Sequence, residues 1–99
     1  MITLIQVPRY IALLKKYSSK PTLTKWLKND GDLVEEGQPL AVVETSKAAL
    51  EIDAKATGLL FILRNEREKV KIGDTLGIIA DSKVELHEFL TLMREYPVN

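Results

Sequence analysis

The sequence has 99 residues and a mass of 11.2 kDa, so it can form one hydrophobic core and is too short for a large multidomain enzyme. Its 14 basic residues balance 14 acidic ones, which argues against nucleic-acid binding, because that binding needs clustered positive charge. The chain contains no cysteine, which excludes disulfide bonds and thiolate metal ligands. Any sulfur redox chemistry would have to come from a cofactor.

The N-terminal stretch from Met1 to Val7 is apolar, but it has no basic leader, and Pro8 interrupts it before it reaches the length of a signal peptide. No apolar run approaches the length of a membrane span. We therefore expect a soluble protein of the cytoplasm, or of the mitochondrial matrix in a eukaryote, with neither a membrane nor a nucleic acid among its partners. The lone His87 is expected to be a solvated helix residue, so no metal site is predicted.

The segment from Arg9 to Lys20 precedes the first predicted strand and has no decisive pattern. It is compatible with one or two turns of helix or with an ordered loop that ends at Pro21. Both interpretations stay open.

Five short strands separated by turn residues are predicted in the middle of the chain. They cover Thr22 to Lys28, Pro39 to Glu44, Ala49 to Ile52, Gly58 to Arg64 and Thr75 to Ala80. Their apolar residues do not alternate strictly with polar ones, which favours strands buried in a compact sandwich over an open sheet with one wet face. The pattern predicts an all-β fold.

The two halves of this region resemble each other at an offset of 36 residues. Trp26 to Asp30 aligns with Ile62 to Glu66, and valine, glycine and aliphatic positions further along also coincide. The repeat predicts two similar halves related by a quasi-two-fold axis. One turn position differs, because Gly31 corresponds to Arg67, and there we expect another geometry or a slightly longer loop.

An amphipathic helix is predicted from about Lys83 to Glu95. Ser82 and Glu85 have the spacing of a capping box, and Pro97 forbids continuation of the helix. Four apolar residues recur at helical spacing: Leu86, Phe89, Leu90 and Met93. Burying a large apolar side chain is worth about 1.5–3 kcal/mol, so the stripe is expected to pack on the sandwich or on another chain. The predicted division is a β domain over residues 1–81 and a helix with its tail over residues 82–99.

Lys47 lies between the two halves, in a short polar segment flanked by apolar strand ends that contain Val43 and Ile52. The pattern predicts a hairpin with the lysine at its tip. Taken alone, such a lysine would be an ordinary solvated turn cation. Glu35 and Glu36 are expected to be a solvated pair, and no Ser–His–acid motif occurs, so no active site is predicted.

Four stretches, in their order and spacing, resemble the biotinyl/lipoyl carrier-domain family, and most closely the lipoyl domains of 2-oxo-acid dehydrogenase acyltransferase components. They are residues 31–40, 43–48, 58–60 and 70–76, and the resemblance extends over about Ile2 to Asp81. It implies an all-β fold, a flattened β-barrel or sandwich of two four-stranded antiparallel sheets with two-fold quasi-symmetry.

The resemblance also implies a function for Lys47. Lipoate would be joined to it as an amide, and the residue would act as a swinging arm that shuttles acyl and reducing intermediates between the active sites of a 2-oxo-acid dehydrogenase-type complex. The domain itself would be non-catalytic, and Glu44, Thr45, Ser46 and Ala48 would form the motif flanking the lysine. The implied partners are a lipoate ligase or lipoyl transferase and the dehydrogenase, acyltransferase and dihydrolipoamide dehydrogenase components.

The sequence departs from the family pattern near the lysine. Ser46 replaces the usual acidic residue, and the chain from Pro8 to Gly31 is longer than usual. Because the family has this loop beside the lysine hairpin, partner recognition is expected at Arg9 to Pro21. Biotinyl domains frame their lysine with methionines, which Ser46 and Ala48 replace, so biotin is disfavoured. An unmodified lipoyl-like interaction scaffold and, less favoured, a biotinyl carrier stay open as alternatives.

Overall fold

The computed structural model describes residues 1–11 and 20–95. This part of the chain contains seven strands and one helix: β1 (Ile2–Gln6), β2 (Thr22–Trp26), β3 (Leu33–Val34), β4 (Pro39–Glu44), β5 (Ala49–Asp53), β6 (Gly58–Ile62), β7 (Thr75–Ala80) and α1 (Lys83–Glu95). Most of the uncertain segment from Arg9 to Lys20 lies outside the described residues. Its first three residues form a short 3₁₀ turn in which the Ile11 N–H donates to the Pro8 carbonyl. Within the described ranges, no helix is long and apolar enough to cross a membrane.

The strands form two antiparallel sheets, one with the order β1-β7-β6-β3 (sheet A) and one with the order β2-β4-β5 (sheet B). The prediction of a mainly β sandwich with a C-terminal helix is confirmed. The prediction of two four-stranded sheets in a flattened barrel needs correction, because sheet B has three strands in the described part and the sheets do not close. The missing strand is reduced to a single bridge between Thr22 and Lys69. Turns begin on both sides of this bridge, at Arg67 and at Lys71, so few residues are left to pair.

The 36-residue repeat corresponds to matched hydrogen bonds that cross between the two halves. The Asp30 carboxylate accepts a bond of 2.6 Å from the Ile62 N–H, and the Glu66 carboxylate accepts one of 2.7 Å from the Trp26 N–H. Each carboxylate therefore binds the backbone at the end of the other half's strand. The two sheets are joined by this exchange as well as by their shared core.

The turn at Arg67 corrects one prediction. Its backbone φ of 74° lies in the same left-handed region as the φ of 88° at Gly31, so the second half repeats the turn geometry of the first. The next residue in each turn, Asp32 or Glu68, donates its N–H to the carbonyl of the asparagine three positions before it. Glycine reaches this conformation without steric cost, whereas arginine is strained in it.

The core lies between the sheets and draws on both of them. Its largest fully buried side chains in the strands are Leu23, Leu40, Val43, Leu60, Leu76, Ile78 and Ile79. Trp26 packs against this core from the side, and its indole N–H donates to the Arg64 carbonyl at 2.8 Å. Three residues of the predicted strands are only half-buried: Val42, Leu59 and Ile62. The packed interior provides a rigid base for the connections at each end of the sandwich.

The cap of α1 follows the predicted capping box in one of its two bonds. The Ser82 Oγ accepts from the Glu85 N–H at 3.1 Å, as expected for an N-cap. The Glu85 carboxylate, however, accepts from the N–H of Asp81 rather than from that of Ser82. It also pairs with the α-amine of Met1, which holds the start of the helix beside the start of β1.

The predicted apolar stripe of α1 lies toward sheet A. Leu86, Phe89, Leu90 and Met93 are all half-buried, and α1 contacts β1 and β7. The expectation that the stripe packs on the sandwich is therefore met to this extent. His87 is exposed on the same helix.

Candidate functional site

The predicted lysine hairpin is present, and it connects β4 to β5. These strands pair from Pro39 opposite Asp53 to Glu44 opposite Ala49, and residues 45–48 join them. Lys47 is exposed in this connection. The strand residues expected to anchor it, Val43 and Ile52, are 0% and 5% exposed, so the loop stands on a fixed base.

The side chain of Thr45 organises the loop. Its Oγ1 accepts from the Ala48 N–H at 3.1 Å and from the Lys47 N–H at 3.2 Å, and it lies 3.3 Å from the Ala48 carbonyl, to which it donates. The Thr45 N–H donates to the same carbonyl at 2.8 Å. The threonine thus bonds to backbone groups on the far side of the turn, in the manner of a Ser/Thr turn.

The five candidate residues from Glu44 to Ala48 are consecutive, so the structure brings all of them into one hairpin. Thr45 and Ala48 are half-buried at its base, while Glu44, Ser46 and Lys47 are exposed. An exposed serine stands where a carboxylate would lie beside the lysine. Glu35 and Glu36 are exposed in the turn after β3, consistent with the expectation of a solvated pair.

The connection between β1 and β2 ends beside this hairpin. Thr22, the first residue of β2, pairs with Glu44, the last residue of β4. Residues 12–19 of the predicted partner-recognition segment lie outside the described residues, so that assignment stays a prediction. At the edges of the undescribed stretch, Ile11 and Pro21 are both buried, which anchors the chain on either side.

A pair of carboxylates at the other end of the sandwich was not predicted from the sequence. The Met1 α-amine bonds to the side chains of Asp81 and Glu85. The bond to Asp81, with that to Glu85, raises the pKa of the amine, and the amine in turn lowers the pKa of the Glu85 carboxyl. The contact requires β1 to pair with β7, and the β1 stretch was not predicted to be a strand.

An open groove of about 610 Å³ separates the edge strands of the two sheets. It is lined from the β1 side by residues that include Leu4, Val7 and Tyr10, and from the β5 side by Glu51 and Asp53. Acidic and basic side chains both border it, since Arg9 and Lys55 also contribute. The groove could not be predicted from the sequence because it depends on β1 forming the edge of sheet A.

Comparison with known proteins places these features in context. The biotin/lipoyl family, described as "Biotin-requiring enzyme", matches residues 5–79. The succinyltransferase component of the Bacillus subtilis 2-oxoglutarate dehydrogenase complex is 34% identical over 82 residues, which are 82% of this chain and 19% of the relative. The pyruvate dehydrogenase E1 component subunit beta of Rhizobium meliloti is 31% identical over 78 residues, 77% of this chain and 17% of that protein.

A plant protein gives a similar match. The mitochondrial acetyltransferase component 2 of the Arabidopsis thaliana pyruvate dehydrogenase complex is 33% identical over 79 residues, 73% of this chain and 15% of that protein. The chain thus spans less than a fifth of the length of each of these three relatives. The similarity covers the β sandwich and includes the Lys47 hairpin.

Proposed function

This chain belongs to the biotin/lipoyl family, and from that premise we propose that it is a lipoyl carrier domain whose acceptor residue is Lys47. The observation that carries the proposal is the hairpin, in which an exposed lysine stands on two paired strands with buried anchors. In this proposal residues 1–81 are the carrier unit, and residues 82–99 are an appended helix and tail.

The Lys47 side chain fits an attached acyl group. It has a flexible four-carbon stem with one terminal amine, so acylation at its end leaves the packed sheets undisturbed. The turn around it is formed by backbone groups and by Thr45, none of which depends on the lysine ammonium. Conversion to an amide removes one positive charge and leaves a neutral tether.

Attachment needs an activated lipoyl carboxyl, which a lipoate ligase makes from lipoate and ATP. The Lys47 ammonium first loses a proton, and its amine then forms a C–N bond to the carbonyl carbon. The bond from that carbon to the nucleotide phosphate breaks, its electron pair leaves with AMP, and a second proton leaves the nitrogen. When bound, lipoate supplies a disulfide that accepts an acyl group and two electrons.

The role of the chain is then to localise the arm. A tether raises the effective concentration of its cargo at each active site that it can reach. We assign as partners a lipoate ligase or lipoyl transferase and the dehydrogenase, acyltransferase and dihydrolipoamide dehydrogenase components of a 2-oxo-acid dehydrogenase-type complex. The names of the relatives from Bacillus subtilis, Rhizobium meliloti and Arabidopsis thaliana support this assignment. The expected location is the cytoplasm, or the mitochondrial matrix in a eukaryote.

Incubation with lipoate ligase, ATP and lipoate tests the proposal. Intact mass should increase by one lipoyl group, and peptide mapping should find it on Lys47. Lys47→Arg should remain folded and unmodified, because arginine keeps the charge but lacks the nucleophilic amine. Lys83→Arg is the matched control, since Lys83 also follows a serine and lies 36 residues after Lys47. It should be modified as the wild type is, and a wild type that stays inert with several ligases would refute the proposal.

A second candidate function, an unmodified interaction scaffold, is favoured by Ser46 alone. The missing carboxylate beside the lysine is the departure expected if the hairpin no longer served a ligase. An inert wild type together with a reactive Ser46→Asp variant would support the scaffold. Biotin ligase should leave the wild type unmodified, and transfer of biotin to Lys47 would instead identify a biotinyl carrier.

A further inference from the structure

The turn that presents Lys47 depends on the hydroxyl of Thr45. Three polar contacts within the loop meet at this oxygen, from the N–H groups of Lys47 and Ala48 and to the Ala48 carbonyl, at 3.1–3.3 Å. From these contacts we infer that Thr45 is a positioning residue for acylation of Lys47, an inference that rests on the proposed lipoylation.

The contacts fix the backbone of the acceptor residue itself. The Lys47 N–H is directed at Thr45 Oγ1, which sets the orientation of the peptide that precedes the lysine Cα. That orientation determines the direction in which the lysine stem leaves the hairpin. The Ala48 N–H binds the same oxygen, so the peptides on both sides of Lys47 are held by one group.

Loss of the hydroxyl would leave both N–H groups to water and allow the loop to adopt other conformations. A ligase would then bind only the fraction of molecules in the competent turn, and the apparent affinity would fall by that fraction. Chemistry within the bound complex would be unchanged, since Thr45 does not contact the ε-amine in this mechanism. The expected signature is a higher KM with an unchanged kcat.

Lys83 shows that a serine before the lysine is not sufficient for this geometry. Ser82 and Lys83 repeat Ser46 and Lys47 at the 36-residue offset. There, however, Ser82 caps α1 and Lys83 is the first residue of that helix. The short local sequence is shared, whereas the threonine-closed turn belongs to the hairpin.

Steady-state kinetics with lipoate ligase, followed by intact mass, test the inference in wild type, Thr45→Val and Thr45→Ser. Valine keeps the branched shape and removes the hydroxyl, whereas serine keeps the hydroxyl. Thr45→Val should raise KM about tenfold at unchanged kcat, because two backbone donors lose their acceptor, and Thr45→Ser should stay within about twofold of wild type. Thr57→Val is the matched control, since the Thr57 Oγ1 also accepts a backbone N–H, that of Glu36, at 3.0 Å and outside this hairpin.

Two further measurements separate turn geometry from folding and from amine reactivity. Amide hydrogen exchange at Lys47 and Ala48 should accelerate in Thr45→Val and not in Thr45→Ser. Labelling of Lys47 by a small acylating reagent should be equal in all variants, since it does not require the turn. If Thr45→Val is too poorly folded by Trp26 fluorescence, Thr45→Ala replaces it.

The outcomes distinguish this inference from the function on which it rests. Equal KM values for wild type and Thr45→Val, with both modified on Lys47, would overturn the positioning role and leave the carrier function intact. A rise in KM that Thr45→Ser does not reverse would also overturn it. A wild type that no lipoate ligase modifies would overturn both.

Discussion

The turns at Gly31 and Arg67 allow a test in which one conformation is probed from two directions. The φ angles of the two residues are 88° and 74°, so the same left-handed backbone is occupied by the residue best suited to it in one half and by an arginine in the other. We predict that Gly31→Ala destabilises the protein and that Arg67→Gly stabilises it.

The magnitude follows from two opposing contributions. A left-handed conformation costs an L-residue about 1–2 kcal/mol, whereas the greater freedom of glycine in the unfolded chain costs about 0.4–1 kcal/mol on folding. A Cβ at Gly31 would meet no atom within 4 Å among the described residues, so no clash adds to the balance. The net change is about 0.5–1 kcal/mol at each site, with opposite signs, or about 2–8 °C in melting temperature for a domain of this size.

Urea unfolding and thermal melting, both followed by the fluorescence of Trp26, measure these changes. Trp26 is the one tryptophan of the sequence and is half-buried against the core. Arg67→Asn should also stabilise, because asparagine tolerates the left-handed region while keeping a side chain. If Arg67→Gly lowered stability as much as Gly31→Ala, backbone strain would not be the governing term at this turn.

Three further predictions concern burial and charge. Thr75 is 4% exposed and its Oγ1 has no hydrogen-bond partner in the described part of the chain, so Thr75→Val should raise the melting temperature by about 4–8 °C, and a decrease would show that the hydroxyl is bonded. Phe89→Asp should lower it by several degrees or dissociate an oligomer, because the ring is half-buried on a helix that contacts sheet A; a variant unchanged in melting temperature and in mass by sedimentation would contradict the packing. The Met1–Glu85 contact should stabilise wild type relative to Glu85→Gln near neutral pH. That advantage should disappear as pH falls through the lowered pKa of the Glu85 carboxyl and as pH rises through the raised pKa of the amine, and a melting-temperature difference independent of pH would refute it.

The sequence predicted the central strands well because their pairing partners lie nearby in the chain. β4 and β7 have the predicted bounds, while β2 and β6 end two residues earlier than predicted, at Trp26 and Ile62. At those two residues the backbone N–H is bound by a carboxylate from the other half instead of by a neighbouring strand. A local pattern of apolar residues does not contain that long-range contact.

β1 and β3 were not predicted for different reasons. β1 pairs with β7, so its strand state depends on residues more than 70 positions away. β3 has only two residues, Leu33 and Val34, which is too short for a periodic signal. The extra strand at the sheet edge in turn creates the groove and brings Met1 to α1.

The candidate site was accessible to sequence reasoning because its residues are consecutive. Glu44 to Ala48 had to share one loop once β4 and β5 were assigned. The role of Thr45 needed the structure, because a hydroxyl two residues before the lysine can face the turn or the solvent. A threonine at the start of a four-residue connection was the available signal.

The quasi-symmetry explains why two Ser–Lys pairs have different surroundings. In the first half β4 continues through residues 45–48 into β5, so the chain closes a hairpin around Lys47. In the second half the strand that pairs with β7 is β1, which begins at the N-terminus of the chain, so nothing closes a hairpin after Ala80. The Met1 amine instead binds Asp81, and α1 starts at Lys83. The break in the covalent repeat thus leaves Lys47 in the hairpin and gives the equivalent lysine a helical position.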